Sequence, residues 1–271
     1  MKIISNLNKK FLKWALKIDK RIRLVISVGV MSFFILFSTF FYFDRALIFV
    51  PLIFIVAYFL TYFAVLEKIE RVGFLGLFIM PEAVAISFYF FYFLFPGRWI
   101  TRIPYLVIFA ISFYAVLLCS NIFNVGVEKS LGLYRAAFSI NFFYQSIVSF
   151  LIFNLIFVSQ NNFLVNGILS GSVAFVLSLN LFWTIRLKKY LEREVWQYAL
   201  LVAIAVFEAG ILASFLPVQS TVYALFLTGC YYSVAGIIYN YIDERLFKET
   251  IREYATVFFF IILVTILATS W

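Results

Sequence analysis

Two glutamates, Glu82 and Glu208, carry the residue type and placement that could do chemistry in this chain. Each stands inside a long apolar run, each is followed by an alanine, and no Lys or Arg lies at matching depth. An ionised carboxylate in hydrocarbon is costly, so an acid kept there points first to function. The chemistry on offer is the loading and release of a proton, or the binding of a cation. Pro81 precedes Glu82 and frees the carbonyl of Leu77, which would add an acceptor to a polar pocket. Tyr89, seven residues after Glu82, falls on the same helical face. The competing reading makes each Glu a protonated side chain that hydrogen-bonds to a neighbouring helix.

A second polar set lies in one apolar run: Asn141, Gln145 and Ser149 at four-residue intervals, then Asn154. That spacing puts the first three on one helix face. Such a face must meet protein or a wet cavity, either as interhelical hydrogen bonding or as a polar pathway. Gly167 and Gly171 form a small-residue pair at GxxxG spacing, which lets helices approach closely within the chain or between copies. Ser170, Ser172 and Asn180 share that run.

Other chemistries are excluded by what is missing. The 271 residues contain no histidine, which removes His-based triads and zinc proteases of the HExxH type. Cys119 and Cys230 are isolated and fit apolar packing better than a zinc or disulfide site. There is no phosphate-binding Gly-rich loop and no paired-aspartate motif beside an apolar run. No catalytic residue, metal site or cofactor is assigned, and the chain is not expected to be an enzyme.

The elements that must position these residues follow from composition. The chain is 65% hydrophobic and 13% charged, too poor in charge for a soluble surface. Nine apolar runs reach membrane-span length, at 24–43, 46–66, 72–95, 103–125, 136–158, 163–185, 195–216, 221–242 and 255–271. Their continuity predicts helices, because backbone polar groups in lipid must be satisfied within the segment. A barrel would alternate instead. The predicted fold is an all-α polytopic transmembrane bundle. No connecting segment exceeds 12 residues, which leaves no room for a soluble catalytic domain.

With nine spans, 19 of the 22 Lys and Arg fall on one side. The positive-inside rule then places the amino terminus in the cytoplasm and the carboxyl terminus outside, in a cell membrane of bacterial inner-membrane type. The formal charge of +9 reads as a topology signal rather than a nucleic-acid surface. Residues 1–23 form a basic arm with apolar positions at helical spacing, expected to lie on anionic inner-leaflet lipids or to dock a cytoplasmic protein partner. Trp99, Trp183, Trp196 and Trp271 sit near run ends, as interfacial anchors do.

The chain divides into the arm (1–23) and one bundle (24–271). Within the bundle, 66–96 and 191–217 share an opening Leu-Glu, a mid-run Glu-Ala and a closing Pro. This suggests an added first span (24–45) followed by two parallel four-helix copies, 46–158 and 159–271. Two functions compete. A transporter or permease-like protein predicts Glu82 and Glu208 in one polar cavity. A non-catalytic membrane scaffold or subunit of a larger complex predicts a packed bundle, with the two acids facing different helices.

Overall fold

The computed structural model describes residues 17–40, 46–66, 74–94, 99–125 and 131–269. Within them lie nine helices and no strand: α1 (Lys20–Ser38), α2 (Ala46–Val65), α3 (Phe74–Tyr92), α4 (Trp99–Val125), α5 (Leu131–Val158), α6 (Phe163–Arg186), α7 (Arg193–Ser214), α8 (Ser220–Ile242) and α9 (Lys248–Leu267). Most of the basic arm, including its amphipathic face up to residue 16, falls outside the described residues, as does Trp271.

Each apolar run of the sequence corresponds to one helix, with shifted ends. α1 begins at Lys20 and α9 at Lys248, several residues before the apolar runs start. Charged side chains at helix ends sit in the headgroup layer while the backbone stays helical, so a boundary drawn at the first charge cuts a helix short. The helix α9 therefore has 20 residues rather than the 17 of its apolar run. Among the described residues, eight helices are long and apolar enough to cross a membrane, and α3 adds a shorter apolar stretch over Gly76–Tyr92. The full α3 of 19 residues is about 28 Å long, close to the hydrocarbon thickness.

Local chemistry sets several ends. Asn162 caps α6 by accepting from the Val165 N–H at 2.9 Å. Leu187 ends the same helix in a left-handed conformation. The following loop is clipped by Arg186 on Glu192 at 2.7 Å and by Lys188 on Glu192.

The helix α5 occupies the centre, packed on α3, α4, α6 and α8. The tightest pair is α6 with α7. A Cβ added at Gly171 would stand 3.0 Å from the Ala203 carbonyl oxygen, and one at Gly210 would stand 3.3 Å from the Cα of Gly167. Both glycines of the GxxxG pair are thus spent on a contact within the chain. The helix α9 lies at the edge, chiefly on α8, with its other faces exposed. The two suggested four-helix copies therefore place their last members unlike one another: α5 is central, α9 peripheral.

Candidate functional site

The bundle interior holds a set of polar groups joined by hydrogen bonds across four helices. On α6, Asn180 donates to the carbonyl oxygen of Gly76 on α3 at 2.7 Å. Its own Oδ1 accepts from Asn141 Nδ2 at 3.1 Å and from Gln145 Nε2 at 2.8 Å, both on α5. On α8, the Tyr231 hydroxyl donates to Gln145 Oε1 at 2.9 Å. Asn141, Gln145, Asn180 and Tyr231 are all buried. One turn along α5 from Gln145, Ser149 reaches Thr228 of α8 at 3.5 Å. A buried amide left without a partner is expensive, and here the amides partner one another.

The i, i+4 spacing of Asn141 and Gln145 arises because both must reach one acceptor on the neighbouring helix. Asn154 is also buried, about 13 Å further along α5. The hub, Asn180, is one of several polar residues in an apolar run, and nothing in its sequence surroundings marks it as central. Tyr231 and the Gly76 carbonyl are equally silent in sequence. A side chain on Gly76 would place its Cβ 2.1 Å from the Trp183 indole, so glycine is required for α3 and α6 to meet at this height. Trp183 is only 3% exposed and donates to the Lys188 carbonyl at 2.9 Å. It is a core residue rather than an interfacial anchor. Its run ends at a tight turn that folds back over it. Trp196, by contrast, is exposed beside Phe175.

Glu82 stands at mid-length on α3, 6% exposed, and neither carboxyl oxygen has a hydrogen-bond partner within the described structure. Pro81 is accommodated inside the helix. One turn before Glu82, Phe78 packs its ring on Tyr58 of α2 at 4.9 Å, and Tyr58 lies within electrostatic range of the Glu82 carboxyl. Tyr89 is buried two turns further along, beside Ser38 of α1, about 10 Å from Glu82 along the axis.

Glu208 has different surroundings. It lies on the exposed face of α7 among the exposed Leu201, Ile204 and Leu212. Glu82 is enclosed among α3 and its neighbours, while Glu208 points away from the bundle, so the two acids do not line one cavity. Among the described residues, no three His, Cys, Asp or Glu side chains converge in a way that would hold a metal ion.

Among the described residues, cavities of 400–560 Å³ lie elsewhere. One, of about 560 Å³, is lined by Arg186, Glu194, Tyr198, Tyr241 and Glu244, among other residues, at the basic end. There Lys188 and Arg186 hold the Glu192 carboxyl below the usual carboxylate range, through hydrogen bonds and charge. A second, of about 520 Å³, lies at the opposite end beside Asn166 and Ser214.

Eight long apolar helices make this a multi-pass membrane protein in contact with lipid. Residues 66–268 match the family described as "Protein of unknown function (DUF5656)", and the chain belongs to that family. The matched segment opens at the end of α2 and closes past α9, so it takes in both glutamates and the whole polar set. No curated protein and no solved structure matches the chain.

Proposed function

We propose that the protein is a non-catalytic membrane subunit or scaffold, inserted with its amino terminus in the cytoplasm and its carboxyl terminus outside. The observation that carries this reading is the interhelical hydrogen-bond set of Asn141, Gln145, Asn180 and Tyr231. The polar atoms at the bundle centre are used to hold helices together, as interhelical hydrogen bonds do. A carrier would turn such groups toward a substrate. The basic face fits the same reading, offering Lys and Arg to lipid headgroups or to a cytoplasmic partner.

A second reading has its own support. Glu82 is a buried carboxyl without a hydrogen-bond partner, the kind of group found where a proton or cation is handled. On this reading the protein is transporter-like and works through Glu82 alone. Reconstitution into liposomes under a pH gradient separates the two. The subunit reading expects no proton flux above empty vesicles, and no difference between the native protein and Glu82→Gln. Flux that the native protein supports and Glu82→Gln abolishes would establish the carrier instead.

A further inference from the structure

We propose that the exposed face of α7, together with the groove it forms with α6, is the contact between two copies of this chain. The two copies are related by a two-fold axis along the membrane normal, and Glu208 of each copy hydrogen-bonds to Ser172 of the other. This goes beyond both functional readings and depends on neither.

The starting observation is the position of Glu208. It lies at the middle of the exposed stripe of α7, with Leu201 and Ile204 on one side along the axis and Leu212 and Phe215 on the other. It is six residues, about 9 Å, inside the end of the helix at Ser214. A carboxyl at that depth, surrounded by apolar side chains, needs a polar partner, and among the described residues Glu208 makes no hydrogen bond or ion pair within its own chain. Lipid tails cannot supply one either.

The same face carries a suitable partner. Ser172 on α6 is exposed and donates its hydroxyl hydrogen to the Ile168 carbonyl at 2.7 Å. Its oxygen lone pairs are left to accept. A hydroxyl and a carboxyl are complementary hydrogen-bonding groups, since the Ser172 hydroxyl can accept from, or turn to donate to, a carboxyl oxygen. The depths also match. Gly171 packs against Ala203 and Phe207, which sets Ser172 about one turn deeper than Glu208. Helical side chains lean toward their own amino terminus. Since α6 and α7 are antiparallel, the two side chains lean toward each other in depth and close that offset.

Insertion fixes the orientation of every copy, so a symmetric pair must use an axis along the membrane normal, which preserves depth. Shape agrees with this symmetry. A groove of about 400 Å³ runs between α6 and α7, with Gly171 and Ala203 among its small lining residues and Phe175, Leu200 and Phe207 among its large ones. Leu201 and Leu212 stand on the other flank of Glu208, where they supply the ridge that a second copy's groove would receive.

The test uses full-length protein in liposomes at high dilution in lipid, with Cys119 and Cys230 replaced by Ala. Ile204→Cys should cross-link to a covalent dimer under mild oxidant. Val107→Cys, exposed on α4, should not. Glu208→Leu should weaken dimerisation about tenfold, while Glu208→Gln, whose amide can also donate to Ser172, should retain it. Helical content by circular dichroism checks that each variant is folded. The proposal is overturned if folded native protein stays monomeric, if Val107→Cys cross-links as readily as Ile204→Cys, or if Glu208→Leu dimerises like the native protein. It is equally overturned if a different protein is found on the α7 face in place of a second copy.

Discussion

Glu82 and Glu208 share a residue type, a following alanine and a place inside an apolar helix, yet the fold treats them in opposite ways. Glu82 is enclosed by the bundle with both oxygens unpartnered, one turn from the Tyr58–Phe78 ring contact. Glu208 is turned outward among leucines and an isoleucine. The difference lies in what the rest of each helix does. The helix α3 is packed on α2, α4, α5 and α6, so nearly every one of its faces is interior. The helix α7 is committed on one side to α6 and to α8, and leaves a broad face free. Depth in a membrane is written along a single helix, but the direction a side chain faces is decided by neighbouring helices.

The contrast between a polar interior held by hydrogen bonds and an outward face that is not can be broken most sharply at the hub. Asn180→Ala removes the shared acceptor of Asn141 and Gln145 and the donor to Gly76, and should cost about 2–4 kcal/mol in a micellar unfolding titration. Leu201→Ala on the outward face should change the same measurement by no more than about 0.5 kcal/mol. Next in size, Gly76→Ala drives a methyl into the Trp183 indole and should cost about 1–3 kcal/mol, part of it recovered in the double variant with Trp183→Leu.

Glu82→Met sharpens the comparison further. An unpartnered buried acid replaced by an apolar side chain of similar size should leave stability unchanged or raise it by up to about 1 kcal/mol. A clear loss would mean that Glu82 holds its neighbours together as Asn180 does. The smallest effect belongs to the basic end. The Glu192 carboxyl is held low by Lys188 and Arg186, so its contribution is present above the usual carboxylate range and fades as pH falls through the lowered value. Thermal melts of native protein and Glu192→Gln should nearly coincide in acid and separate slightly near neutrality, the small gap expected for exposed ion pairs.

Much of this architecture can be read directly from the chain. Helix number and order follow from runs such as 163–185, because a chain in hydrocarbon has to satisfy its backbone internally. The face shared by Asn141 and Gln145 is likewise visible as a four-residue interval. Trp183 misleads for an instructive reason. Its place near a run end matches an interfacial anchor, but the turn at Leu187 folds back and Gly76 admits the ring into the core. The correspondence between 66–96 and 191–217 says nothing about surroundings, since shared composition does not decide what packs on each helix.

The sequence alone determined that the chain is a helical, multi-pass membrane protein, since the hydrocarbon layer sets both the length and the backbone pairing of anything that crosses it. It also determined that Glu82 and Glu208 are the acids that fall inside its apolar runs. Only the tertiary structure decided that Asn180 gathers the amides of α5, that Gly167 and Gly171 serve the α6–α7 contact, and that one glutamate faces in and the other out. Those choices depend on the rotation of each helix about its own axis. Lipid does not fix that rotation, because an apolar helix is equally at ease in hydrocarbon whichever way it turns. Packing and hydrogen bonding between helices do fix it.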